Sequence, residues 1–172
     1  LWLFARAINP HYQYGEIHEE FFKWLDDDDD SRRKLGLLPR GHLKSHAAAV
    51  WTVREITRNP WTSIVYLSAG EELAKAQIYA IKMMMLGPYY QQLWPEMIKT
   101  QESQRELWNA FGFNVDHPLR RERGTRDQTL LVRTVKSNAI GLHCDHVVFD
   151  DVVVPSFAYT EIGRREVQRS IS

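Results

Sequence analysis

The amino-acid sequence predicts a three-layer α/β fold with a mostly parallel central sheet. Short apolar runs rich in β-branched residues alternate with longer segments of helical periodicity, a pattern that is typical of parallel sheets covered by helices. The runs at 63–68 and 129–135 are too short for helices and read as buried strands. The 172 residues are enough for one domain with a hydrophobic core.

The amino-acid composition limits the classes of protein to which the chain can belong. The chain has 22 basic and 22 acidic residues, so any nucleic-acid contact must come from a local patch rather than from net charge. Its one cysteine, Cys144, excludes a disulfide framework within the chain. No apolar run approaches the roughly 18 residues of a membrane span, and no signal-peptide pattern opens the sequence. We therefore expect a soluble, intracellular protein without a membrane partner.

The first half of the chain alternates helices with strands. Apolar residues at helical spacing, β-branched runs and Gly or Pro stops place the boundaries. The predicted elements in order are a helix from Glu16, a solvated acidic loop at 26–30, a strand at 35–38, a helix at 44–58, a strand at 63–68 and a helix at 71–86.

The second half begins with a break in this rhythm. Residues 89–128 scatter aromatic side chains among polar ones, which indicates a surface excursion. The strand at 129–135 follows, and Gly141 marks a turn. The apolar run that starts at His146 then ends in two acids, Asp150 and Asp151, where a strand of an open α/β sheet presents ligand-binding residues.

The segment from Leu35 to Ser45 has the layout of a phosphate-binding loop (P-loop). A strand, a tight turn and a helix that opens with Lys-Ser place unpaired N–H groups where anions bind. The fingerprint G-x-x-x-x-G-K-[ST] has leucines, Leu38 and Leu43, at both glycine positions. An ordinary strand-to-helix turn with a lysine at its edge is therefore the alternative interpretation.

Several residues favour the phosphate-loop interpretation. Gly41 can take a positive φ, Arg40 and His42 add donors, and Lys44-Ser45 keeps a point charge and a hydroxyl for Mg²⁺. The predicted nucleotide-binding residues are Pro39, Arg40, Gly41, His42, Leu43, Lys44 and Ser45.

The two acids supply the second part of the predicted site. Asp150 is expected to hold Mg²⁺ beside Ser45, and Asp151 to orient and deprotonate the attacking water. An apolar run before two aspartates is weak alone, but its pairing with the loop predicts an ATPase that uses ATP and Mg²⁺. Tyr12, Gln13 or Tyr14 can pack on the base, or they are plain core residues.

Two further sets of side chains have residue types that occur in functional sites. Residue types compatible with zinc occur at 143–146, but consecutive residues near a strand point to opposite faces and cannot all converge. Four arginines lie in the region 120–126 and are either solvated surface charges or contacts to a neighbouring subunit's nucleotide or to a DNA backbone. The sequence does not indicate which arginine would make such a contact among Arg120, Arg121, Arg123 and Arg126.

In its phosphate loop and its pair of acids, the chain resembles the ATPase domain of the large terminase subunit of tailed bacteriophages. The phosphate loop is the most specific piece, because terminases are known for deviant loops of the Pro-Arg-Gly-His-x-Lys-[Ser/Thr] type. The likeness is carried by Pro10–Gln13 with Glu19–Leu25, by Leu38–Ser45, by Ile64–Ala74 and by Gly141–Asp151.

The resemblance implies a P-loop NTPase fold of the ASCE type and a role for each motif residue. Lys44 and Ser45 correspond to the phosphate and magnesium residues, Asp150 to the magnesium acid, Asp151 to the catalytic carboxylate and Arg40 to a loop arginine on the γ-phosphate. An arginine acting in trans is also expected, and residues 120–126 lie in a plausible place.

The resemblance also implies a biological setting. ATP hydrolysis would drive double-stranded DNA into a procapsid, in a ring of subunits that works with a portal protein and the small terminase subunit in the host cytoplasm. We expect residues 1–172 to be a truncated ATPase domain without the family's nuclease domain. The alternatives are another nucleic-acid-directed P-loop ATPase, helicase-like or associated with transposition, and a nucleotide-binding assembly module without turnover.

Overall fold

The computed structural model describes residues 1–27, 33–135, 137, 143–152, 161 and 165, and these form a mixed α/β structure with a five-stranded sheet. Helices and strands follow one another in the order α1 (Trp2–Ile8), α2 (Glu16–Asp26), α3 (Lys44–Arg58), β1 (Ile64–Ser68), α4 (Glu71–Leu86), α5 (Pro88–Leu93), β2 (Trp108–Asn109), β3 (Gly112–Phe113), α6 (Pro118–Arg123), β4 (Leu130–Thr134) and β5 (His146–Phe149).

The sheet has the strand order β2-β3-β4-β1-β5 and is mixed. The central strand β1 is parallel to both β4 and β5, whereas the short hairpin β2-β3 joins β4 in the antiparallel sense. Ile64 lies opposite Leu130 on one side and His146 on the other. The carboxyl ends of β1, β4 and β5 therefore meet at one edge of the sheet, and their amino ends meet at the other.

The main hydrophobic core lies between one face of this sheet and the helices α3 and α4. Alternate residues of β1 and β4 point to that face, as expected for the two-residue period of a strand. On the opposite face, Val65, Leu67 and Val135 form a smaller cluster with Val152. The side chains that fill the main core include Val53, Ile56, Ile64, Tyr66, Ile78, Ile81, Leu130 and Val132.

The helices and strands predicted at 44–58, 63–68, 71–86, 129–135 and 146–149 are confirmed to within two residues. Their apolar patterns were unambiguous, and a proline or glycine marked several of the ends. The predicted turn at Gly141 and most of the acidic loop at 26–30 lie outside the described residues. None of the helices in the described ranges is long and apolar enough to cross a membrane.

The strand predicted at 35–38 is wrong. This segment has no regular secondary structure, and Leu35 and Leu37 are 80% and 84% exposed. Gly36 instead lies so close to α2 that an added Cβ would come within 2.7 Å of the Phe21 ring. Because Lys34 also donates to the carbonyl of Trp24, the chain is fixed against α2 rather than within the sheet.

The expectation of a surface excursion at 89–128 is also wrong in part, because this region supplies core side chains. Tyr90, Met97, Ile98 and Phe113 are fully buried, and the Tyr90 hydroxyl lies 2.7 Å from Thr57 Oγ1 of α3. The scattered aromatic residues concealed these contacts, since no periodic pattern marks them in the sequence.

Helix α6 is held to the amino-terminal edge of the sheet by one buried arginine. Arg120 is 5% exposed and donates to the carbonyls of Pro60 and Thr62, which precede β1, and of Asp127, which precedes β4. A buried guanidinium can satisfy several carbonyls at once because its five N–H groups are fixed in one plane.

We expect Arg120→Met to lower the free energy of unfolding by about 2–4 kcal/mol, because two buried carbonyls and one half-buried carbonyl lose a charged donor. The matched control is Arg121→Met, which removes an exposed ion pair with Glu106 and should cost less than about 1 kcal/mol. Urea unfolding of both variants measures the difference. Equal, small losses in the two variants would contradict the structural role of Arg120.

Candidate functional site

The two predicted motifs meet at the carboxyl-terminal edge of the sheet. Ser45, in the first turn of α3, donates through Oγ to Asp150 Oδ1 at 3.0 Å, across 105 positions of sequence. Beside it, Lys44 Nζ lies 2.7 Å from Asp151 Oδ1. Two segments that are remote in the chain therefore place a hydroxyl, an ammonium group and two carboxylates within one site.

The loop before α3 uses two residues with positive φ. Residues 39–42 form a turn in which the His42 N–H donates to the Pro39 carbonyl, and Gly41 takes a φ of 81°. Leu43 then adopts the left-handed conformation, with a φ of 53°. Leucine thus takes, at the second glycine position of the fingerprint, a backbone conformation that glycine adopts without steric cost. Such strain is characteristic of functional loops.

The start of α3 is suited to an anion. Leu43 occupies the N-cap position without a side-chain cap, so the first N–H groups of the 15-residue helix receive no hydrogen bond from it. The partial positive charge of the helix N-terminus adds to the charge of Lys44. Arg40 and Gly41 are exposed at the turn that leads into this helix.

Asp150 is the buried acid of the pair. It is 5% exposed, and its second oxygen, Oδ2, accepts a hydrogen bond from the Tyr66 hydroxyl at 3.0 Å. Burial, together with the negative charge of Asp150, raises the pKa of Tyr66. The phenol therefore stays protonated and acts as the donor in this contact.

Asp151 is the exposed acid of the pair. Its side chain is 57% exposed, and its backbone has a φ of 47°. The reversal of the backbone after β5 turns this carboxylate away from the buried position of Asp150 and toward Lys44. A carboxylate so placed can accept a proton from a water molecule once a ligand occupies the lysine.

Aromatic rings of the N-terminal segment contact His46, the residue that follows Ser45. The His46 ring stacks on Tyr12 with 4.0 Å between centroids, and His46 Nε2 lies 2.7 Å from the Tyr14 hydroxyl. Burial raises the pKa of Tyr14 to about 12, and burial lowers the pKa of His46 to about 4, aided by nearby His18. A neutral His46 with no proton on Nε2 accepts a hydrogen bond from the Tyr14 hydroxyl, which keeps its proton. These tyrosines border a pocket of about 450 Å³ that Trp2, Arg6, Asn9, Pro10 and Gln13 also line.

Comparison with known proteins adds no assignment. No protein-family model matches the chain, and no curated protein matches it. The functional interpretation therefore depends on the residues and geometry described above.

The oxygen ligands at the junction fit the chemistry of Mg²⁺. This ion takes hydroxyl, carboxylate and phosphate oxygens, and Asp150 Oδ1 retains a second lone pair beside Ser45. Within the described ranges, no three His, Cys, Asp or Glu side chains form a group that could hold a metal. Asp145 instead accepts hydrogen bonds from the N–H of Ser63 and the hydroxyl of Thr62, which fixes the start of β5.

The four arginines lie at the opposite edge of the sheet from this junction. Arg120 contacts residues that precede β1 and β4, and the Arg123 guanidinium lies 3.8 Å from the ring centre of Trp61. Arg121 pairs with Glu106, and Arg126 lies 3.7 Å from Asp127. The structure thus separates them from Lys44 and Asp151 of the same chain.

Sequence analysis did not single out Tyr66 or His46 as site residues. The hydroxyl of a tyrosine within a buried strand needs a hydrogen-bond partner, so the sequence could predict that Tyr66 makes a polar contact. The identity of the partner required the pairing of β1 with β5. His46 gave no comparable indication, because a histidine in the first turn of a helix is common on surfaces.

The lowered pKa of His46 predicts an acid-sensitive contribution to stability. The unfolded-state pKa is near 6.5 and the folded-state value is about 4, so the stabilising effect is complete above pH 6.5 and is lost as the pH falls toward 4. Between pH 7 and pH 5 this loss is about 2 kcal/mol.

We expect His46→Gln to remove that part of the pH dependence, as measured by urea unfolding at pH 7 and pH 5. The matched control is His11→Gln, which changes an exposed histidine and should retain the full loss. An unchanged pH dependence in His46→Gln would contradict the burial of a neutral imidazole at this position.

Proposed function

We propose that this chain is a P-loop ATPase domain in which the loop 39–45 binds the phosphates of ATP. The observation that carries the proposal is the meeting of Ser45 and Lys44 with Asp150 and Asp151 at one edge of the sheet. A phosphate loop needs a lysine, a hydroxyl and an acid at the end of a neighbouring strand, and these groups lie together.

The phosphate end of the proposed site uses charge and backbone donors. The Lys44 ammonium group and the N-terminus of α3 would face the β- and γ-phosphates, with Arg40 on the exposed side of the γ-phosphate. Ser45 and Asp150 would hold Mg²⁺, which neutralises charge on the phosphate oxygens. The pocket bordered by Tyr12 and Tyr14 is of a size to take the base.

In the proposed hydrolysis, Asp151 would act as the general base. Its carboxylate would accept a proton from a water molecule while the water oxygen forms a bond to the γ-phosphorus. The bond between that phosphorus and the bridging oxygen breaks, and ADP leaves with the electron pair. The products are ADP and inorganic phosphate, and the proton on Asp151 passes to phosphate or solvent.

We extend the proposal to a motor that packages double-stranded DNA, on the strength of the resemblance to terminase large subunits. The support is the deviant loop Pro39–Ser45, with Pro before Arg-Gly-His, and the apolar strand before Asp150-Asp151. In such a motor, the portal protein, the small terminase subunit and neighbouring copies of the chain would be partners. Arg121, Arg123 or Arg126 would act in trans, whereas the burial of Arg120 favours a structural role.

A second candidate is a nucleotide-binding module without turnover. The observation that favours it is the ion pair between Lys44 and Asp151, which occupies both the phosphate lysine and the proposed base. If nucleotide binding does not separate the two, water activation fails. Hydrolysis assays on the parent chain distinguish this candidate from an ATPase.

Lys44→Ala should weaken Mg²⁺-dependent binding of a fluorescent ATP analogue at least tenfold, because the main phosphate charge is removed. Fluorescence titration of parent and variant measures the change. The matched control is Lys23→Ala, which removes an exposed lysine paired with Glu19 and should bind like the parent. Equal affinities for parent and Lys44→Ala would contradict the proposed loop.

Asp151→Asn should abolish hydrolysis and bind the analogue up to about fivefold more tightly. The substitution removes the base and also releases Lys44 from a largely exposed ion pair that is worth about 1 kcal/mol at most. Phosphate release and fluorescence titration measure the two effects. Hydrolysis at the parent rate would show that Asp151 is not the base, and weaker binding would show that the ion pair does not compete with phosphate.

A further inference from the structure

The Tyr66 hydroxyl, on the central strand β1, bonds to the side chain of the acid at the end of β5. The side chain is fully buried, and its ring belongs to the main core between the sheet and helices α3 and α4. Its hydroxyl donates to Asp150 Oδ2 at 3.0 Å. The ring is therefore fixed by packing at one end and by a hydrogen bond at the other.

This contact restricts the rotation of the Asp150 carboxylate. The last torsion of aspartate is broad, so the plane of a carboxylate without such contacts is poorly fixed. Here one oxygen, Oδ2, accepts from Tyr66 and the other, Oδ1, accepts from Ser45 Oγ, so the two contacts together fix the plane. We infer that Tyr66 is a positioning residue that holds the Asp150 carboxylate in the orientation needed to share Mg²⁺ with Ser45.

The geometry favours positioning over a role in the chemical step. Tyr66 is fully buried, and its hydroxyl bonds to one oxygen of Asp150 while Ser45 bonds to the other. Tyrosine has few rotatable bonds, and a core ring restricts those it has, so it orients a partner with little entropic cost. Hydrogen-bond partners of metal ligands commonly contribute a factor of 10–100 to metal affinity. The inference rests on the proposed function of this site.

The test compares Tyr66→Phe with Tyr90→Phe, both in the Asp151→Asn background, where turnover is suppressed. Tyr90 is a matched control because it is also fully buried and its hydroxyl bonds to Thr57, near the opposite end of α3 from Ser45. Each protein is titrated with Mn²⁺ alone by electron paramagnetic resonance. Each is then titrated with Mg²⁺ while binding of the fluorescent ATP analogue is followed.

We expect Tyr66→Phe to raise the Mn²⁺ and Mg²⁺ midpoints about tenfold and to leave metal-free analogue binding unchanged. Tyr90→Phe should show neither effect. With Asp151 intact, saturating Mg²⁺ should return the kcat of Tyr66→Phe to the parent value, which a general structural defect would not allow. Metal midpoints equal to those of the Asp151→Asn parent would overturn the inference while leaving the proposed ATPase intact.

A parent chain that binds neither metal nor analogue would overturn the proposed function and this inference together. If Tyr66→Phe does not fold, the unsubstituted protein still provides a test through ¹³Cζ-labelled tyrosine. The Tyr66 resonance should shift when Mg²⁺ and the ATP analogue are added, and the Tyr90 resonance should stay in place. A Tyr66 resonance that does not respond would contradict a link between this hydroxyl and the metal end of the site.

Discussion

The hydrogen bond between Ser45 and Asp150 is the contact on which the candidate site depends. It joins the first turn of α3 to the end of β5, so it fixes the loop 39–45 relative to the sheet. Because α3 also packs against the same face of β1 and β4, a shift of the helix would disturb the core as well as the site. The site is therefore built on rigid elements, which a precise phosphate contact requires.

The two acids of the site differ in burial and in the charge of their partners. The buried Asp150 has both oxygens occupied by neutral donors, whereas the exposed Asp151 pairs with the ammonium group of Lys44. The Lys44–Asp151 ion pair therefore lies where solvent and phosphate can compete for it. Phosphate binding at this place would exchange one partner of Lys44 for another and release the exposed Asp151 carboxylate to solvent.

The sequence allowed much of this arrangement to be predicted, for reasons that are local. Helix 71–86 and strand 63–68 have clear periodicity, and the Lys44-Ser45 and Asp150-Asp151 pairs lie where such elements begin and end. The strand at 35–38 failed because its apolar pattern carries no information about α2, whose Phe21 and Trp24 face Gly36. A short apolar run is compatible with any neighbour, and only the tertiary fold selects one.

The contacts that sequence could not supply are those between side chains of separate elements. Tyr66 meets Asp150 only because β1 lies beside β5, with Val148 opposite Tyr66 in the parallel register. Likewise, His46 meets Tyr14 only after the N-terminal segment has folded back over the start of α3. In both cases a buried or half-buried polar group gains a partner in the folded chain, and leaving that group unpaired would carry a cost. The polar contacts around the loop therefore help to specify the register of the sheet and the path of the N-terminal segment, beyond any role in binding.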